Sequence, residues 1–410
     1  MLELKSTAVR GNLGIATRRE DRTKGPAPAT TSPAVPVYEE ELWTSRQRQA
    51  NAIHEVSYRG CFKPQLPNYF LERLSSEADL VYDPFGGRGT TAIEAALLGR
   101  RVVANDINPL SAVLTRPRLE VPELADIQNR LRTLRIRASA GADIDLSMFY
   151  NRRTESELVT LRDYLRRRRD AGEEDPADRW IRMVATNRLT GHSPGFFSVY
   201  TLPPNQAVMP EDQLRINRKL GQKPPYRDVR ALILRKSVQL QSALTAADRA
   251  RLRRAAANAV FLNTDASATN ALPSSCVQLT VTSPPFLDVV QYARDNWLRC
   301  WFNGLDAEAI GERITMAKTP EEWAGVMSRV FAELHRLTAP GGWVAFEVGE
   351  VRRGEIRLEE IVVPLGVAAG FECGAVLINA QRFTKTANIW GVANNRLGTN
   401  SNRIVLFCKP

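Results

Sequence analysis

The chain has 410 residues, 43% of them hydrophobic, enough for one large domain carrying an insertion or for two domains. Lysine and arginine number 56 against 45 aspartates and glutamates, a net charge of +11 that favours polyanionic partners without identifying one. No apolar run reaches the ~18 residues of a membrane span, and the start lacks the apolar core of a signal peptide. Cys61, Cys276, Cys300, Cys373 and Cys408 are scattered, as are His54, His192 and His335, so no zinc site or disulfide framework is expected and a reduced cytoplasmic setting is.

Residues 1–37 are rich in Thr, Pro, Ala and Arg and read as a flexible basic tail. Aromatic and apolar residues then begin (Trp43, Tyr58, Phe62), and Tyr69–Leu74 reads as a helix. Leu80–Asp83 reads as the first strand and Thr91–Leu98 as a helix, with Ala92, Ala95 and Ala96 on one buried face and Gly99 closing it. Arg101–Asn105 is a second strand, ending at Asp106. Residues 117–257 form an Arg-dense stretch with helical periodicity, expected to be an inserted helical subdomain. It holds the run Arg166–Arg169 and an aromatic patch (Phe196, Phe197, Tyr200) suited either to packing or to a base pocket.

Strand signals return at Val260–Asn263, Val277–Thr282, Trp343–Val348, Ala375–Ile378 and Arg403–Phe407, the last two as a terminal hairpin. Seven strands with intervening helices predict a doubly wound α/β sheet, built from 38–116 and 258–410 around the insertion.

Two strand-ending loops carry the chemistry. Ser283-Pro284-Pro285-Phe286 stops a strand with two prolines, which continue neither a ladder nor a helix. That turn offers a hydroxyl, carbonyls and an aromatic ring at the C-terminal edge of the sheet, where ligands of open α/β sheets bind. Asp83-Pro84-Phe85-Gly86-Gly87-Arg88-Gly89-Thr90-Thr91 makes a glycine turn into a helix whose free N–H groups suit a carboxylate or phosphate. Asp106, at the next strand end, is placed to accept from ribose hydroxyls. A glycine turn followed by such an acid also marks NAD-binding units, so this pair alone leaves the cofactor open.

The full string from Asp83 to Thr91, together with Asn105-Asp106-Ile107-Asn108-Pro109, resembles the donor-binding motif of S-adenosylmethionine-dependent DNA amino-methyltransferases. Ser283–Phe286 resembles that family's Pro-Pro-aromatic catalytic tetrapeptide, and Phe62-Lys63-Pro64-Gln65-Leu66-Pro67 its upstream donor motif. The resemblance covers about 50–115 and 259–410, and implies a Rossmann-like seven-stranded class I methyltransferase sheet. By it, S-adenosyl-L-methionine is the cofactor, Asp83 lies near the donor's amino group, Asp106 binds the ribose and Asp265 accepts from the adenine amine. Phe62, Lys63, the turn residues Pro84, Phe85, Gly86, Gly87, Gly89, Thr90 and Thr91, and Ile107 and Asn108 complete the donor site. Ser283 Oγ and the Pro284 carbonyl would accept from the target amine, Pro285 would stiffen the turn and Phe286 would stack on a flipped base. No metal is implied.

Serine at the first position is more typical of cytosine-N4 enzymes in that family, so cytosine N4 in double-stranded DNA is the expected target. Adenine N6, an RNA base and a silent DNA-binding regulator are the alternatives. The variable region here falls between the second and third strands rather than just before the Pro-Pro turn. Target reading is expected from it, through Arg152, Arg153, Arg166–Arg169, Arg215, Arg218 and Lys219 on phosphates and Asn205 and Gln206 on adenine edges. A polar, glycine-bearing loop from Asn388 to Asn402 either closes over the target or only connects a hairpin. A cognate restriction nuclease is a possible partner of such an enzyme.

Overall fold

A computed structural model describes residues 35–42, 50–58, 60–137, 140–201, 207–285, 292–314, 317–351, 356–380 and 401–410. Phe286, Trp43, Asn205, Gln206, residues 388–400 of the expected loop and all but the end of the expected tail lie outside the described residues.

The sheet is laid down from its middle. Strand β2 (Leu80–Asp83) pairs in parallel with β3 (Arg101–Asn105), and β3 with β4 (Val260–Leu262). On its other side β2 pairs in parallel with β5 (Val277–Thr282), which pairs with β6 (Thr338–Val348). Strand β10 (Ser401–Cys408) runs antiparallel between β6 and β9 (Glu372–Ala380), as the expected terminal hairpin requires. The order thus reverses direction at β2, with β3 and β4 to one side and β5 onward to the other.

Two expectations need correction. The sheet has eight strands, because β1 (Val37–Glu40) adds in parallel to the open edge of β9. Four residues are too few for an alternating pattern to stand out of a Pro/Thr-rich stretch. What secures β1 is burial of Tyr38 and a bond from the Val376 N–H to the Pro36 carbonyl at 2.9 Å. The sixth strand also starts earlier than its apolar core: β6 passes through Pro340-Gly341-Gly342, absorbing them as an irregularity between the pairs Val277–Thr338 and Leu279–Trp343.

Helices cover both faces. Helix α1 (Gln65–Leu74), α2 (Thr90–Leu97) and α9 (Ala246–Ala256) share a core with one side of the sheet. Opposite them packs α12 (Pro320–Leu337), whose buried Trp323, Met327, Val330, Phe331, Leu334 and Leu337 recur at helical spacing. Helix α13 (Leu358–Ala368) completes that layer through Val362 and Leu358.

Between β3 and β4 the chain forms α3 (Leu110–Leu119), α4 (Leu124–Thr133), α5 (Arg152–Asp170), α6 (Pro176–Arg188), α7 (Pro210–Leu220), α8 (Val229–Gln241) and α9. Their core, around Phe149, Leu161, Trp180, Ile181, Phe197 and Ile233, is finished by Leu298 and Phe302 of α10 (Tyr292–Asn303). The helix that follows the Pro-Pro turn is therefore built into the insertion.

Phe331 is fully buried, its ring 4.8 Å from that of Phe346 and 5.3 Å from that of Phe407. Phe331→Ala should cost roughly 3–5 kcal/mol in urea unfolding. A loss near zero would mean that this layer is not the core.

Candidate active site

Strand β2 ends at Asp83 and turns at Pro84-Phe85-Gly86-Gly87-Arg88-Gly89 into α2. Gly87 and Gly89 adopt φ of +50° and +74°, and a Cβ on Gly89 would stand 2.2 Å from Thr115 Oγ1. The turn therefore needs glycine for both conformation and space. Arg88 points away from the loop tip: its guanidinium donates to the carbonyls of Val56 and Phe62, each at 3.1 Å. The fully buried Arg118 donates to the carbonyls of Leu114, Ile53 and Arg88. Together they lash segment 53–62 to the glycine turn, and burial drops the Arg118 pKa to about 9.

The neighbouring strand ends are tied by side chains. Asn105 donates to the carbonyls of Pro84 (3.2 Å) and Thr264 (3.0 Å) and accepts from Thr264 N–H (3.1 Å), joining the tips of β2, β3 and β4. Asp106 accepts from Gly87 N–H at 2.7 Å and Asn108 N–H at 2.8 Å, so its carboxylate is fixed against the turn. Between β2 and β5, Thr91 Oγ1 donates to the Val281 carbonyl at 2.9 Å and Thr282 Oγ1 to Asp83 Oδ1 at 2.6 Å. Both bonds are buried, so they are not weakened by competing water.

One cavity of about 360 Å³ opens at this rim. Asp83, Pro84, Phe85, Gly86, Gly87 and Thr90 line it from the glycine turn, Phe62 from the upstream motif, and Asp106, Ile107 and Asp265 from the next two strand ends. Ser283, Pro284 and Pro285 line the same cavity. An apolar wall of Ile314, Ala317, Trp323, Val326, Met327 and Val330 also lines it.

Four residues named in the sequence are not among those that line the cavity. Lys63 is exposed, and its carbonyl accepts from Leu66 N–H to start α1. Gly89 shapes the turn, Thr91 reaches β5, and Asn108 donates to Tyr58 Oη at 3.2 Å. Arg88, Arg118, Thr282 and Trp323 were not singled out from sequence. Arg88 and Thr282 lie inside or beside the motifs, but the apolar wall carries no sequence signal beyond helical periodicity.

In the insertion, Arg168 is taken up by Asp178 (2.6 Å) and Glu173 (3.0 Å), and Arg169 donates to the Asn303 carbonyl at 2.9 Å. Half of the arginine run thus staples helices together. Phe196 and Phe197 are buried, with Arg188 stacked 4.1 Å from the Phe196 ring, so of the two readings they serve packing. Arg215, Arg218 and Lys219 on α7 are exposed.

Residues 17–112 match the family model described as DNA methylase. Type II methyltransferase M.MjaII of Methanocaldococcus jannaschii is 31% identical over 86 residues, 21% of this chain and 16% of the relative. Type II methyltransferase M2.DpnII of Streptococcus pneumoniae is 39% identical over 67 residues, 15% of this chain and 25% of the relative. Over residues 17–112, the stretch that holds the glycine turn, the chain is similar to DNA methylases. It aligns with a quarter or less of the length of these relatives. A TehB-like SAM-dependent methyltransferase structure from Corynebacterium glutamicum is 8% identical, covering 84% of this chain and 87% of its own, with a TM-score of 0.31.

Burial pushes Asp83 up to about 7, from an ordinary value of 3.8, despite the bonds it accepts from Thr282 and Phe85. Asp106 is pushed up to about 6 by the same cause. Between 3.8 and about 7 the folded chain keeps on Asp83 a proton that the unfolded chain has released. Raising the pH through that window therefore lowers stability. Asp83→Asn should flatten the decline in urea-unfolding free energy across it, and a variant that keeps the wild-type slope would show that Asp83 is not its source.

Proposed function

We propose that this protein transfers a methyl group from S-adenosyl-L-methionine to the exocyclic N4 amine of a cytosine flipped out of duplex DNA. The observation that carries this reading is the single cavity lined by Gly86 and Gly87 on one side and by Ser283, Pro284 and Pro285 on the other.

The cavity fits the donor in kind. Glycine backbone at Gly86 and Gly87 allows close approach, and α2 opens its free N–H groups beside it for the methionine carboxylate. Asp83 would supply a negative charge for the donor's ammonium group, Asp106 would accept from the ribose hydroxyls, and Ile107 would flank the adenine. Asp265 Oδ1 already accepts from Ser267 N–H and Oγ, each at 2.8 Å, which orients the carboxylate for the adenine amine.

A nucleobase amine is a weak nucleophile because its lone pair is delocalised into the ring. Ser283 Oγ and the Pro284 carbonyl accept from its two protons, drawing the nitrogen towards tetrahedral geometry. Bound there, S-adenosyl-L-methionine would supply a methyl group on a sulfonium that leaves as a neutral thioether, and the site would pass the amine's proton to water. The donor is already activated, so alignment and electrostatics supply most of the rate. Phe286, next in the motif, supplies the ring on which the base stacks.

The insertion is the element we assign to reading duplex DNA. Exposed Arg218 and Lys219 on α7 suit phosphate contacts, whereas Arg215 pairs with Asp212, Arg168 with Asp178 and Glu173, and Arg169 donates to the Asn303 carbonyl. A cognate restriction nuclease is a partner that this activity fits.

Incubating the protein with labelled donor and plasmid DNA, followed by nucleoside mass spectrometry, should yield N4-methylcytosine. N6-methyladenine would correct the target, and the absence of any methylated nucleoside would overturn the activity. Ser283→Ala should lower turnover about 100-fold or more while donor affinity changes little; full activity would remove Ser283 from the chemistry. Donor affinity in calorimetry should rise with pH between about 6 and about 7 as Asp106 and Asp83 ionise. A flat profile would contradict their roles.

A further inference from the structure

The two prolines of the catalytic turn have a structural cost that the fold has to offset. Proline carries no N–H, so neither Pro284 nor Pro285 can be anchored by donating from its backbone. Their rings fix φ but leave ψ free, and rotation about ψ of Pro284 swings the carbonyl that faces the target amine. Any external polar anchor must therefore act on a carbonyl.

Trp323 provides one. Its indole Nε1–H donates to the Pro285 carbonyl at 2.9 Å. Among the described residues this is the hydrogen bond that the two prolines receive. The donor is itself rigidly mounted. Thr319 caps α12, accepting from Glu322 N–H at 3.2 Å, and Pro320 fills the first helical position. Trp323 then leads the apolar stripe through Met327, Val330, Phe331 and Leu334 that embeds α12 in the sheet's core. Trp323 is 3% exposed, and its bond to the carbonyl is part-buried. A leucine or phenylalanine would fill this place in the stripe equally well. Among the apolar aromatic side chains only indole adds a strong N–H donor.

We infer that Trp323 is a positioning residue for methyl transfer: by holding the Pro285 carbonyl it sets the orientation of the Pro284 carbonyl towards the amine. The inference rests on the proposed function, because it concerns the step assigned to that turn. A misplacement of about 1 Å at such a site costs on the order of 100-fold in rate.

Trp323→Phe keeps an apolar ring in the core and removes only the donor. Single-turnover methyl transfer at saturating donor and DNA should slow roughly 10- to 100-fold. Calorimetric affinity for sinefungin, a non-transferring donor analogue, should stay within about a factor of two. Should phenylalanine lower the melting temperature enough to confuse the comparison, benzothienylalanine at 323, with sulfur in place of N–H and nearly the same shape, is measured instead with the same expectation. An unchanged rate overturns the inference. So does a fall in analogue affinity that matches the fall in rate, since the side chain would then merely wall the donor cavity. Wild-type protein that methylates no DNA refutes the proposed function; wild-type transfer with an unaffected variant refutes this inference alone.

Discussion

Adjacency of β2 and β5 is the constraint on which the site depends. These strands are far apart in sequence, yet the order of the sheet reverses between them, and there a doubly wound sheet opens a crevice at its carboxyl edge. Pairing of Val81 with Leu279 and of Tyr82 with Thr280 sets the register. Two buried side-chain bonds, from Thr91 to the Val281 carbonyl and from Thr282 to Asp83, then fix the loop tips to one another. Without that register the glycine turn and the Pro-Pro turn would not border one cavity.

The arrangement is stabilised from behind and strained at its face. Arg88 and Arg118 spend their donors on main-chain carbonyls rather than on carboxylates, so they brace the loops and leave the acids available. Asp83 sits buried at the strand end, with its proton held more tightly than in water. A cationic ligand in the cavity would relieve that penalty, so the empty protein bears a cost that a sulfonium donor with its ammonium group removes. Local instability at a site that gains it back on binding is a common pattern.

Much of this was legible from the residues. The seven strands read from sequence, the glycine turn, the prolyl turn and the helices between β3 and β4 each have a local signature, although β6 begins before its apolar core. What escaped was non-local or too short. β1 forms because the edge of β9 is open, a fact that four residues of sequence do not contain. Lys63 belongs to a matching motif yet faces solvent, since the start of α1 rather than the cavity fixes its direction. Arg168 and Arg169 look like a phosphate-binding run until the carboxylates and the carbonyl that take them up are seen. Trp323 reads as one more member of an apolar stripe; only the tertiary packing of α12 beneath the turn gives its indole N–H a purpose.

The central claim is that donor and target amine meet in the cavity shared by the two turns. A crystal structure with sinefungin bound tests it most directly. The account predicts the analogue's carboxylate against the glycine turn, its ribose at Asp106, and its transferred-group mimic directed at Ser283. Analogue bound elsewhere, or bound with that group facing away from the prolyl turn, would contradict it.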